Sequence, residues 1–240
     1  HWGMENFWDM LADSSFMGYA RLSYDSTGKR MVAIFKPLSR KAVWHGDYAS
    51  FGGAHTDNCR HQLVSLDIVG HEFAHGLIEF TAELLYNGEP GAINESISDI
   101  FGFLVEYHTD TAGINWDWLI AEDVFHCDTA LRDMSNPNRF DQPATYLTDP
   151  LWDVNDEVHT NSGVHNYWFY LLANGGSGSN ANDYNYNVTG IGVERAAKIV
   201  YHSLTYYLSP LSGYHDARNA SLLAAQDLYC LLYTSDAADE

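Results

Sequence analysis

Basic residues are scarce: 12 Lys and Arg stand against 32 Asp and Glu, giving a formal net charge of −20 over 240 residues. That balance excludes a broad nucleic-acid-binding face, which needs clustered Lys and Arg against phosphates. Cysteine is nearly absent. Cys59, Cys127 and Cys230 are too few and too far apart for a disulfide framework or a Cys-type zinc site, and a single Cys59–Cys127 bridge in a secreted setting stays open. No apolar run reaches the roughly 18 residues that cross a bilayer. The chain opens on neither an initiator Met nor a signal peptide, so a leader was removed or the chain is an excerpt. What is present is globular, because 46% hydrophobic and 14% aromatic content argues against disorder. The many carboxylates either keep the surface soluble or gather around hard cations such as calcium.

Residues 20–35 read as strand, turn, strand, and 46–58 as a loop. Helical periodicity then predicts helices over 63–86, 93–108, 162–173, 193–207 and 216–229. The stretch 109–160 reads as irregular, and the Gly/Asn/Ser-rich 174–187 as an exposed, mobile loop. Asn187-Val188-Thr189 is a sequon that chance explains.

Residues 67–80, DIVGHEFAHGLIEF, carry the chemistry. His71 and His75 are four apart and share a helix face, a spacing that lets two imidazoles reach one metal. Glu72 is rotated by about 100° from His71, where its carboxylate flanks the metal and can take a proton from water. Two core histidines and a solvated glutamate would give the same pattern. The next helix decides between them: Glu95 and Asp99, again four apart, supply a third ligand and a carboxylate to orient an imidazole. The reading is a zinc site.

His71-Glu72-x-x-His75 with Asn94-Glu95-x-x-Ser98-Asp99, the asparagine nineteen positions after the second histidine, resembles the thermolysin family of secreted zinc metalloendopeptidases. The resemblance runs from residue 21 to 229. It implies an α+β, two-lobed fold: an incomplete β-rich lobe over 1–65, a mainly helical lobe over 66–229, and the zinc between them. Residues 230–240 match no family helix and read as an artefact of a truncated or misassembled sequence. By the same resemblance His71, His75 and Glu95 hold zinc, with Asn94 and Asp99 behind them, and Glu72 is the general base. Tyr86 and His159 stabilise the tetrahedral intermediate, and Arg132 holds a substrate carbonyl. Asp67, Glu106, Asp117 and Glu122 would hold calcium; Leu119, at a position acidic in double-calcium members, points to one ion. Ala42 and Trp44 match the strand that pairs with substrate, where Lys41 replaces the family's asparagine. Ile68, Ile120 and Leu131 match an apolar primed-side pocket, which implies cleavage before a bulky hydrophobic residue. The acid that orients His159 is Asp153, Asp156 or Glu157.

The implied protein is a secreted monomeric endopeptidase with Zn²⁺ and Ca²⁺, acting on proteins or peptides, without nucleic acid or a membrane span, and made with a propeptide. A metzincin is excluded because Ile78 and Thr81 stand where its Gly and third His would be. A zinc aminopeptidase and a non-catalytic calcium- and zinc-binding relic are the alternatives.

Overall fold

A computed structural model describes residues 1–53, 61–110, 112–113, 116–125 and 130–229. At its centre α3 (Leu66–Glu79) packs on α4 (Gly88–Thr109). The two run antiparallel: Asp67 lies beside Gly102, whereas His75 lies beside Asn94. Gly70 and Gly102 let them approach: a Cβ on Gly102 would stand 2.6 Å from the Asp67 carbonyl oxygen, and one on Gly70 3.0 Å from the Gly102 Cα. Phe73, Leu77, Ile97, Ile100, Phe101 and Leu104 close the interface and are all but inaccessible to solvent. Each contributes about 1.5–3 kcal/mol by burial.

Both helices differ from their expected limits for local reasons. α3 ends seven residues short of 86 because Glu83 takes a left-handed φ of 54° and its N–H caps the Ile78 carbonyl. α4 starts at Gly88, five residues before 93, and Pro90 fits its first turn, where no amide donor is needed.

The amino-terminal region is less strand-rich than expected. Residues Trp2–Ala12 (α1) and Ser14–Met17 (α2) are helical, and Phe7 of α1 meets Phe73 of α3 with ring centroids 6.2 Å apart. The first of the two strands expected over 20–35 does not form; the expected turn does, with Asp25 accepting the amides of Thr27 and Lys29 at 3.0 Å each, and the second strand runs as Ala33–Lys36. A three-stranded sheet follows, in the order β1 (Ala33–Lys36), β3 (Ala49–Gly52), β2 (Val43–Trp44), with β1 parallel and β2 antiparallel to β3. β3 falls inside the expected loop 46–58; it is buried throughout and therefore shows no alternation of polar and apolar residues.

The irregular stretch contains β4 (Leu119–Ile120) paired with β5 (Arg132–Asp133) and two 3-10 turns, Glu122–Val124 and Pro137–Phe140. After α5 (Val158–Asn161) and α6 (Gly163–Asn174), the Gly/Asn-rich segment is a hairpin and not a mobile loop. Its strands β6 (Gly175–Ser179) and β7 (Asn185–Thr189) pair in register, and Asn180 Oδ1 accepts the Asn182 and Tyr184 amides to close the turn. α7 (Val193–Tyr206) and α8 (Tyr214–Tyr229) complete the helical part. Among the described residues no helix is long and apolar enough to cross a membrane. Cys59, Cys127 and Cys230, and the tail 230–240, lie outside the described residues.

Candidate metal centre

α3 and α4 each turn one polar edge toward the other. His71 Nε2 and His75 Nε2 approach to 3.1 Å, and each stands 3.5 Å from one oxygen of Glu95. Tetrahedral zinc with bonds of 2.0–2.1 Å separates its ligand atoms by about 3.3 Å. The three side chains therefore already have the spacing of a ligand set, within 4.8 Å overall. Glu95 Oε2 is buried without a hydrogen-bond partner, which suits an atom that serves a cation.

The far nitrogens are held as metal-binding imidazoles need. His71 Nδ1 meets Asp99 Oδ1 at 2.9 Å, and His75 Nδ1 meets Asn94 Oδ1 at 2.8 Å and Ser98 Oγ at 3.0 Å. Without metal the two imidazoles titrate apart. Burial opposes a charge on His71, but Asp99 and Glu95 outweigh it and raise its pKa to about 10. Burial lowers His75 to about 4. Glu95, despite burial, is held well below the usual carboxylate range by His71.

Glu72 opens on the same cleft, a cavity of about 920 Å³. Burial raises its pKa to about 7, against the opposing charge of His71. Tyr86 donates its hydroxyl to Glu95 Oε1 and lies 3.2 Å from His159 Nε2. His159 Nδ1 is 2.8 Å from Glu157 Oε1, so of the three candidate acids Glu157 makes the contact. Lys41, Ala42 and Trp44 form one wall, and the Trp44 indole donates to Glu79 Oε2 at 2.8 Å.

Arg132 does not line this cavity; it forks onto Asp99, with Nε at 2.7 Å from Oδ2 and Nη2 at 2.6 Å from Oδ1. Ile68 and Ile120 are closed into the core and Leu131 is exposed; none of the three lines the cavity.

Toward the other end of the helix pair lies a second acidic group, Glu106, Glu122 and Asp123, with carboxylate oxygens within 4.8 Å of one another. Asp123 went unrecognised in the sequence, where its only signal is adjacency to Glu122. Asp67 and Asp117 are outside this tight group. Asp67 accepts the Ala121 and Ile68 amides, and Asp117 accepts the Leu119 amide at 2.7 Å. The acids repel nonetheless: burial and then Asp67 raise Glu106 to about 10 and Glu122 to about 8. Glu122 Oε2 is buried and unpartnered. Oxygen-only donors with no counter-charge among the described residues fit a hard cation such as calcium.

Comparison with known proteins gives a consistent picture. Residues 1–79 match the family model "Thermolysin metallopeptidase, catalytic domain", and 82–238 match "Thermolysin metallopeptidase, alpha-helical domain". The second match extends into the tail 230–240. The chain is 39% identical over 217 residues to a bacillolysin of Bacillus caldolyticus and, over the same length, to a thermolysin of Alicyclobacillus acidocaldarius subsp. acidocaldarius. Each alignment covers 88% of this chain but 38% of the relative. Among solved structures the precursor of protealysin, a metalloproteinase from Serratia proteamaculans, superposes with a TM-score of 0.72 at 27% identity, covering 94% of this chain and 71% of the other.

Proposed function

Because this chain belongs to the thermolysin metallopeptidase family, with its α+β fold, we propose that it is a zinc-dependent endopeptidase. The observation that carries this reading is the triad His71, His75 and Glu95, spaced as a tetrahedral ligand set on a cleft that also holds Glu72. Zinc and calcium are the metals of the family.

Zinc held there supplies Lewis acidity, which polarises a peptide carbonyl and makes water acidic near neutral pH. Glu72, opening on the same cleft, takes the proton of the attacking water and delivers it to the leaving amine. With Glu95 serving the metal, the Tyr86 hydroxyl would be freed from that carboxylate, and Tyr86 with His159 would bring two donors to one side of the cleft, where the carbonyl oxygen gains charge. β2 is an edge strand, so an extended substrate can pair along residues 41–44. Asp99 orients His71, and Arg132 serves that carboxylate. The acidic group takes one calcium.

The division near residue 65, secretion, a monomeric state and a propeptide complete the proposal. A propeptide is supported by the precursor form of the protealysin neighbour. Preference for a bulky hydrophobic residue after the scissile bond is proposed from Ile68, Ile120 and Leu131, with substrate binding required to open that pocket.

The test is hydrolysis of an internally quenched peptide with a central Gly-Leu bond after chelation, and again after zinc and calcium are restored. Recovery by the parent but not by Glu72→Ala supports the reading. A folded, zinc-loaded parent with no hydrolysis overturns it.

A further inference from the structure

Behind Asp99 lies a run of polar side chains that the proposed chemistry does not use. Ser96 is fully buried on α4, and His165 and Asn166 are buried on α6. Ser96 Oγ lies 2.8 Å from His165 Nδ1 and donates to Asn166 Oδ1 at 2.7 Å, while Asn166 Nδ2 donates to Asp99 Oδ2 at 2.8 Å. Burying four polar groups costs several kcal/mol unless all are paired, and apolar residues of similar shape would fill the same space. Their hydrogen bonds also have only one consistent direction.

That direction starts at Asp99, which as a carboxylate only accepts. Asn166 must therefore present its NH₂ to Asp99 and its carbonyl oxygen to Ser96. Ser96 has one proton and gives it to that oxygen, so the His165 bond must run toward Ser96. His165 is then the Nδ1–H tautomer. Its burial favours the neutral ring, holding its pKa down to about 4. At the other end His71 donates Nδ1–H to Asp99, leaving Nε2 to face the cleft.

We propose that His165, Ser96 and Asn166 form a positioning device for His71, acting through Asp99: they fix the carboxylate's orientation and so the tautomer that leaves His71 Nε2 free for metal. This rests on the zinc reading above. Arg132 holds Asp99 from one side, and Asn166 holds the lone pair that Arg132 does not reach. Asn166, His165 and Ser96 are positioning residues, since none touches metal or substrate.

The experiment measures zinc dissociation constants by chelator competition on the whole chain, beside thermal midpoints of the metal-free protein. Asn166→Leu keeps the volume but removes the donor to Asp99, and is expected to weaken zinc on the order of 10- to 100-fold. His165→Asn places an amide N–H where Nδ1–H stood and should keep the native constant, whereas His165→Leu and Ser96→Ala should weaken it. A purely structural role would lower the midpoints and leave zinc affinity alone. Native affinity in folded Asn166→Leu, or equal losses in His165→Asn and His165→Leu, overturns the proposal. If Asn166→Leu does not fold, the Ser96 and His165 variants decide. A parent chain that binds no zinc overturns the zinc reading as well; a parent that binds it as tightly as every variant overturns the positioning role alone.

Discussion

Glu157 holds His159 with one carboxylate oxygen at 2.8 Å and caps α5 with the other, which accepts the Thr160 amide at 2.7 Å. Glu157→Ala therefore loses two functions. The lost cap should cost about 1 kcal/mol. Freeing the imidazole should lower kcat on the order of ten-fold with little change in KM. Asp156→Asn, which tolerates the left-handed backbone there (φ 61°), should be silent. Steady-state kinetics on both variants checks this, and equal losses would remove Glu157 from its role.

Zinc binding should release protons. At pH 8 the metal-free site keeps a proton on His71, whose pKa is raised to about 10, and a ligand must give that proton up. About one proton per zinc is expected, read by calorimetry in two buffers of different ionisation enthalpy. Release of none at pH 8 would contradict a protonated His71 in the metal-free protein.

The acidic group makes metal-free stability fall with rising pH. Glu106 and Glu122 are raised to about 10 and about 8 in the fold, above the roughly 4.3 of a free glutamate. Their contribution is complete below that value and is lost as pH climbs through the folded pKa. Asp99, at about 2 with Arg132 overcoming its burial, titrates below this window. Thermal midpoints in chelator should thus drop between pH 5 and 8, and millimolar calcium should make the drop shallower, leaving the part that the raised Glu72 and His71 contribute. Identical slopes with and without calcium would count against a cation there.

Gly102→Ala tests the helix crossing. In an open helix the change stabilises by about 1 kcal/mol. Here the new methyl meets the Asp67 carbonyl at 2.6 Å, and overpacking costs about 1–3 kcal/mol. A lower urea midpoint is expected, together with weaker zinc binding. An unchanged or higher midpoint would mean that the helices part freely.

The two histidines and two carboxylates of the metal centre were legible because their spacing is local to one helix turn. α1 was legible in principle, since Gly3, Phe7, Met10 and Leu11 are buried at helical intervals. β3 was not: four small or buried residues carry no period. The choice of Glu157 depends on the left-handed turn at Asp156 that sets up the cap, a backbone fact that residue types alone do not fix. Arg132 could be recognised as functional but not aimed, because its partner Asp99 lies 33 positions away.

The contact of Gly70 with Gly102 lies between the acidic group at one end of the helix pair and the imidazoles at the other. Glycine at both positions keeps the two backbones close, so a substituent at either would push apart one pair of helices that carries the acids near one end and the imidazoles near the other.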